Sequence, residues 1–459
     1  MRTLIKGGTV VTAGDTVQAD VLIDGETVAT IGRALDVAVD RVIDASDRYV
    51  MPGGIDAHTH MDMPFGGTFS ADDFESGTAA AAWGGTTTIV DFAIQDFGES
   101  LQAGFERWMA KAAGKAHVDY GFHVIVRQVD DQTMADMDAL IGQGVTSFKL
   151  FMAYPGVFML DDASIFRAMQ RTSDNGGLIM MHAENGGAID VLVRRYLQEG
   201  RTDPINHALT RPAAMEGEAT HRAIALARLA GVAVYIVHLS SRDALSAVVE
   251  ARDRGAAAFA ETCPQYLFLS QEDLGRPDFE GAKYVCSPPL RPRDHQDDLW
   301  NGLVRDDLQI VSTDHCPFDY KDQKVLGRGD FSKIPNGLPG VEDRYTVLFD
   351  GGVNAGRIGL NRFVELVATA PARMFGLYPR KGTIAPGSDA DIVVFDPAVE
   401  RVLSASTHHM RVDYNCFEGM RVRGRPEVVM QRGEVLVEGD RFHGRPGQGR
   451  FLKRGPFPG

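Results

Sequence analysis

Cysteine is nearly missing: four residues in 459, at Cys263, Cys286, Cys316 and Cys416, with no paired spacing. That excludes a disulfide scaffold and fits reduced thiols, so the sequence predicts a cytoplasmic protein. No run of about 18 apolar residues occurs, so no membrane span is expected. The opening MRTLIKGGTVVTAGD alternates in polarity and lacks the apolar block of a secretory leader. Positive charge is in deficit: 47 Lys+Arg against 62 Asp+Glu leave a net charge of −15. A chain so acidic has no broad grip on phosphate backbones or anionic lipid, and neither nucleic acid nor membrane is expected as a partner. Glycine is abundant at 50 residues but forms no Gly/Ser block, which points to tight turns rather than a linker, and no repeat of fixed period appears. What is present is ordinary for a large-cored globular protein: 44% hydrophobic and 24% charged residues.

The first fifty residues read as short strands. TLIKGGTVVT, DVLIDGETVATIG and RVIDASDRYV are rich in Val, Ile and Thr and are punctuated by Gly-Gly and Asp-Gly turns. The same texture returns in DADIVVFD and EVVMQRGEVLVEGDRF, where Arg432-Gly433 predicts a hairpin turn. Between these ends, short apolar runs at 55–60, 87–92, 120–126, 146–152, 178–184, 232–239, 257–263 and 309–316 alternate with helical stretches such as SGTAAAAWG, DASIFRAMQRTS and THRAIALARLAG. Eight strands each followed by a crossover indicate an α/β chain with a (β/α)8 TIM barrel. Continuous apolarity in VYIVHL and TIVDFA fits parallel strands buried on both faces. An open doubly wound sheet is the rival arrangement. The two β-rich ends predict a small β-sandwich domain built from both termini. The expected organisation is an N-terminal β-sandwich segment over 1–51, the barrel over 52–377, a C-terminal β-sandwich segment over 378–442, and an extended Gly-, Pro- and Arg-rich tail over 443–459.

Polar residues gather where the barrel strands end, at the face where such barrels carry their chemistry. His58 and His60 end the first strand, and a period of two points both imidazoles to one side, within reach of one metal. His182, His238 and Asp314 end the fifth, sixth and eighth strands. Each alone reads equally well as a core histidine or a helix cap; four His and one Asp on four strands of one barrel predict a metal site. Lys149 lies inside the apolar strand SFKLFM, where a lone ammonium is unfavourable. It is either half of a buried ion pair or an amine that has reacted with CO2 to a carbamate, an anion able to bridge two metals. Charge favours the carbamate, because two divalent cations beside Asp314 alone would be poorly compensated.

At this point MPGGIDAHTHMDMPFGG, SFKLFMAY, MMHAEN, YIVHLSS, ETCPQYL, CSPPLR, STDHCPF and NGLPG resemble, in this order, the dihydropyrimidinase/D-hydantoinase branch of the amidohydrolase superfamily. The likeness spans about residues 3 to 450. It implies two divalent metal ions per chain, zinc by preference. His58, His60 and Asp314 would hold the more buried ion, His182 and His238 the more exposed one, and N6-carboxylated Lys149 would bridge them. It implies a small-molecule cyclic amide substrate: a 5,6-dihydropyrimidine or a 5-substituted hydantoin, opened to an N-carbamoyl amino acid by a metal-bridging hydroxide. Asp314 would move the proton, Tyr154 would stabilise the oxyanion, and Ser287 and Asn336 would grip the imide. Met63, Phe65, Phe151, Phe158 and Met159 are expected as an apolar gate. Pro155-Gly156 follows Tyr154 where the family often carries a lysine, which predicts a stiffer gate loop. His123, Glu184 and His315 are expected to orient ligands or support the fold, and Cys316 to be a bystander. The likeness also implies a homotetramer, with the tail reaching toward a neighbouring subunit. Two other readings stay open: allantoinase, which shares the metal design, and a collapsin-response-mediator-like assembly protein, which would lack the ligands.

Overall fold

The computed structural model describes residues 1–457. Strands β1 (Arg2–Val11), β2 (Thr16–Asp24) and β3 (Thr27–Gly32) pair antiparallel in sequence. Strands β4 (Arg41–Asp44) and β5 (Tyr49–Pro52) both run parallel to β1, β4 along residues 3–6 and β5 at Thr9 and Val10. The change of neighbour falls at Gly7-Gly8. Gly7 has φ +76°, and a Cβ on Gly8 would sit 2.5 Å from Val50 Cγ2, so a side chain there would separate the strands.

One residue after β5 the barrel begins. Its strands are β6 (Gly54–Thr59) and, beyond a small hairpin of β7 (Pro64–Phe65) and β8 (Thr68–Phe69), β9 (Thr86–Ile94), β10 (Asp119–Ile125), β11 (Ser147–Phe151), β12 (Leu178–His182), β13 (Val234–Ile236), β14 (Ala258–Thr262) and β15 (Ile310–Val311). Each barrel strand lies parallel to the one before it. The ring closes through a parallel bridge between Thr59 and His315, with His60 N–H donating to His315 O at 2.9 Å. The (β/α)8 barrel and the sheet made from both termini therefore stand as the sequence predicts. Every residue of β9 is buried, as parallel strands covered on both faces require.

The crossover helices follow from local signals. Helix Asp162–Asn175 starts where Asp161 accepts from Ser164 N–H, buries Ile165, Ala168, Met169 and Thr172 along one stripe, and ends at left-handed Gly176. Two strands are shorter than expected. The runs over 232–239 and 309–316 keep strand geometry only at Val234–Ile236 and Ile310–Val311. The chain turns out of extended conformation at His238 (φ +39°) and Asp314 (φ +53°).

Strands β16 (Ile392–Val402), β17 (Arg421–Gln431), β18 (Glu434–Glu438) and β19 (Arg441–Phe442) continue the terminal sheet, and β16 pairs antiparallel with β5. The turn at Arg432-Gly433 has both residues at positive φ, the hairpin geometry that matches strand twist. This sheet has its own core around Ile5, Val21, Ile23, Val50, Ile392 and Met430. Lys381 ties it to the barrel: its buried ammonium meets Asp119 of β10 at 2.7 Å and Asp391 at 2.7 Å.

Residues 450–454 of the tail are held on the barrel of the same chain. Leu452 N–H donates to Tyr120 O at 2.7 Å, Tyr120 N–H to Arg450 O at 3.0 Å, and Arg454 N–H to Gly144 O at 3.1 Å. Leu452 and Arg454 are buried against the N-terminal end of the barrel. Apolar Phe451 and Leu452 and the Arg454 guanidinium, which donates to Ser147 Oγ at 3.0 Å, explain why this stretch stays on the molecule.

Candidate active site

The predicted ligands meet at the C-terminal mouth of the barrel. His58 Nε2 lies 3.2 Å and His60 Nε2 3.1 Å from Asp314 Oδ1. His58 Nε2 lies 3.0 Å from Lys149 Nζ, and His182 Nδ1 lies 3.0 Å from His238 Nε2. Donor atoms of His58, His238 and Asp314 all fall within 4.8 Å of one another. Two tetrahedral donors each at about 2.0–2.1 Å from a zinc ion stand about 3.3 Å apart, close to these spacings. The outer nitrogens strengthen the fit. His58 Nδ1 engages Glu261 Oε1, and His182 Nε2 faces Glu184 Oε2 at 3.0 Å, the carboxylate backing that metal-binding imidazoles use. His60 Nδ1 and His238 Nδ1 are buried without a partner among the described residues.

Burial and the imidazoles set the electrostatics of the site. Burial pushes Asp314 up, but the charge of His58 and the hydrogen bonds of His58 and His60 outweigh it, so its carboxyl lies well below the usual range. Burial pushes His60 down to about 3, leaving a neutral ring with a free lone pair. Lys149 is fully enclosed, its Nζ 4.3 Å from the Phe92 ring centroid and 5.0 Å from that of Phe151. Burial lowers its amine to about 8, against the opposing pull of Asp314 and Glu261. No carboxylate lies within salt-bridge distance of Lys149 among the described residues, so the buried-ion-pair alternative has no partner.

Above the ligands opens a cleft whose lining includes Met63, Phe65, Phe151 and Phe158. Phe151 stacks on Phe158 at 4.9 Å and on His182 at 5.0 Å. The expected gate differs in one member: Met159 is absent from the lining and stands 40% exposed. The turn after Tyr154 explains this. Tyr154 O accepts from the N–H groups of Val157, Phe158 and Met159 at 3.0, 3.0 and 3.1 Å, and this tight coil folds Phe158 inward and Met159 outward. Tyr154 itself holds φ +63°. Its hydroxyl accepts from Asn336 Nδ2 at 3.2 Å, and the same amide donates to Ser287 Oγ at 3.1 Å. Burial, with the charge of Glu184, pushes the Tyr154 phenol up to about 12, so it stays a proton donor at neutral pH.

His123 and His315 take supporting places. His315 Nε2 faces Asp72 Oδ2 at 3.1 Å, and His123 Nε2 faces Ala57 O at 3.1 Å. The Cys316 thiol lines the cleft, and burial pushes it well above its ordinary value, which keeps it protonated and poorly nucleophilic. Sequence reasoning did not single out Glu261, although it stands in ETCPQYL at the end of β14. Besides His58, it accepts from Tyr235 Oη at 2.9 Å and Ser312 Oγ at 2.7 Å. Glu261→Gln keeps those two donors satisfied but weakens the backing of His58. Its expected effect is a loss of metal affinity of about 10- to 100-fold with the fold intact, read by metal titration; unchanged affinity would reduce Glu261 to a packing residue.

A profile of the amidohydrolase family matches residues 49–436. A D-hydantoinase of Streptomyces coelicolor is 59% identical over 99% of this chain and 98% of its own. A dihydropyrimidinase of Rattus norvegicus is 42% identical over 99% of this chain and 89% of its own. The crystal structure of a dihydropyrimidinase from Brevibacillus agri superposes with a TM-score of 0.99 at 53% identity, covering 100% of both chains. With kinship running over both ends and the whole barrel, and imidazoles, a lysine and a carboxylate converging at the barrel mouth, this chain belongs to the amidohydrolase family.

Proposed function

We propose that this chain is a metal-dependent cyclic amide hydrolase of the D-hydantoinase/dihydropyrimidinase kind. It opens 5-substituted hydantoins, and less readily 5,6-dihydropyrimidines, to N-carbamoyl amino acids. One observation carries the reading: His60, Lys149, His182, His238 and Asp314 line an aromatic-walled cleft together with Tyr154, Ser287 and Asn336. The aromatic wall favours an apolar 5-substituent over the polar ureido group of allantoin, and the filled donor set speaks against a purely assembling role.

His58, His60, Asp314, His182, His238 and N6-carboxylated Lys149 would hold two divalent ions, zinc suiting this nitrogen and oxygen set. Such ions supply acidity to a water and polarise the substrate carbonyl. Carboxylation joins the Lys149 amine nitrogen to the carbon of CO2 and releases one proton, giving an anion where a lone ammonium would repel cations.

The chain's own groups account for the rest. Ser287 and Asn336 hold the planar imide, and Phe65, Phe151 and Phe158 exclude bulk water and receive the exocyclic group. The Asp314 carboxylate takes the proton of the attacking water and returns it to the ring nitrogen as the C–N bond breaks. The Tyr154 hydroxyl donates to the oxygen that gains charge as the ring carbonyl becomes tetrahedral. Tyr154→Phe is therefore expected to lower kcat by about 10²- to 10³-fold with KM little changed; steady-state kinetics with wild-type kcat/KM would leave Tyr154 a packing residue.

We also propose a homotetramer, as the family resemblance implies, which light scattering at micromolar concentration checks. The deciding experiment is kcat/KM for 5-phenylhydantoin against dihydrouracil and allantoin on metal-assayed protein. The D-5-phenylhydantoin is expected to lead; turnover of allantoin alone would overturn the substrate assignment.

A further inference from the structure

Lys324 is completely buried, yet it has no carboxylate within salt-bridge distance among the described residues. It begins the short turn Lys324–Gly327 beyond the end of β15. Its Nζ instead donates to three backbone carbonyls: Val285 O at 2.9 Å, Pro335 O at 2.7 Å and Gly337 O at 2.8 Å. An ammonium has three N–H groups, and each is used. The pattern is unusual because a buried cation ordinarily takes a counter-charge; three carbonyl dipoles replace it here.

The three carbonyls come from two separate segments, and each flanks a residue on the rim of the cleft. Val285 lies two residues before Ser287, while Pro335 and Gly337 sit on either side of Asn336. The segments also touch each other directly, Gly337 N–H donating to Val285 O at 3.0 Å and Asn336 Nδ2 to Ser287 Oγ at 3.1 Å. Space is tight on the far side. Gly337 has φ +148°, and a Cβ there would fall 2.2 Å from Cys316 O, two residues beyond Asp314. Lys324 therefore pulls the 335–337 backbone inward at the point where it is wedged against the strand end that carries a ligand. It touches neither the metal donors nor the cleft.

We propose that Lys324 is a positioning residue: its buried ammonium clamps the 285–287 and 335–337 segments together and so sets the spacing of the Ser287 and Asn336 groups that hold the substrate's imide. This rests on the hydrolase reading above. The clamp acts on a binding surface already in place in the ground state, so its loss weakens substrate holding more than it slows the bond-breaking step.

The test uses full-length holoenzyme with Lys324→Met, which keeps the length of the side chain and removes the donors. KM for 5-phenylhydantoin is expected to rise about tenfold or more, while kcat changes by less than about threefold and metal content is unchanged. Hydrogen–deuterium exchange should quicken at 285–287 and 335–337 and stay as in the wild type in β11 and β12. With Asn336→Ala added, the two KM effects should fall short of multiplying, since both act through one surface. Wild-type KM in Lys324→Met, or a fall in kcat accompanied by metal loss at unchanged KM, overturns the proposal. If that variant does not fold, exchange on the wild-type protein decides: protection of the Gly337 amide, which donates to Val285 O, comparable to the barrel strands supports the clamp, and loop-like exchange overturns it. A wild-type protein that turns over no cyclic amide defeats the hydrolase reading by itself, while the exchange data still report whether the segments are clamped.

Discussion

Lys149→Ala is expected to lower kcat by about three orders of magnitude or more and to leave the protein short of metal, with partial recovery when a short carboxylic acid is added. The side chain is 1% exposed and its amine faces His58 Nε2 at 3.0 Å. It has two phenyl rings beside it and, among the described residues, no carboxylate within salt-bridge distance. As an ammonium it would repel the ions that the surrounding imidazoles are arranged to hold. As a carbamate it supplies two oxygens and one negative charge. Alanine leaves a cavity at that position, and a small carboxylate diffusing in restores an oxygen ligand without restoring the amine. Metal analysis, kinetics with and without propionate, and the intact mass of the wild-type protein together check this. Full metal content and activity in the variant, with no acid added, would remove Lys149 from the site.

Asp314→Asn is expected to lower kcat/KM by about 10⁴-fold at saturating metal, at the upper end of what a proton-transferring group supplies. The substitution keeps shape but exchanges an acceptor for a donor. In the wild type Asp314 Oδ1 lies 3.1–3.2 Å from both His58 Nε2 and His60 Nε2, and those neighbours hold the carboxyl well below its usual range. An amide neither takes a proton from water nor returns one to a leaving nitrogen. Measuring at saturating metal separates this loss from weaker metal binding, which the lost charge also causes. A variant that regains wild-type kcat/KM once metal is saturating would leave Asp314 a ligand only.

Much of this is legible in the residues alone. His58, His60, His182, His238 and Asp314 follow apolar runs that fit barrel strands, and the barrel geometry gathers strand ends at one mouth. Lys149 stands out because a lysine inside SFKLFM is chemically out of place. The aromatic gate is legible from Phe65, Phe151 and Phe158 but not from Met159, whose outward turn depends on how Pro155-Gly156 lets Tyr154 O gather three N–H groups. The positive φ of Tyr154, His238 and Asp314 is also out of reach. Asp and His are enriched in the left-handed region but most of them lie outside it, and Tyr gives no such signal; the packing around the three sustains it. Glu261 and Lys324 escape notice for a related reason: their partners are a ring on β6 and backbone carbonyls, and carbonyls leave no trace in composition. The docking of the tail onto β10 depends on Leu452 and Arg454 meeting the barrel floor, a contact more than three hundred residues away in the chain.

The most direct test is activity against bound metal: remove metal with a chelator, return zinc in steps, and follow turnover of D-5-phenylhydantoin with the metal content of each sample. The protein is expected to stay folded and inactive without metal and to regain turnover in proportion as metal approaches about two ions per chain. Undiminished turnover by metal-free protein, or none with both ions in place, would contradict that expectation.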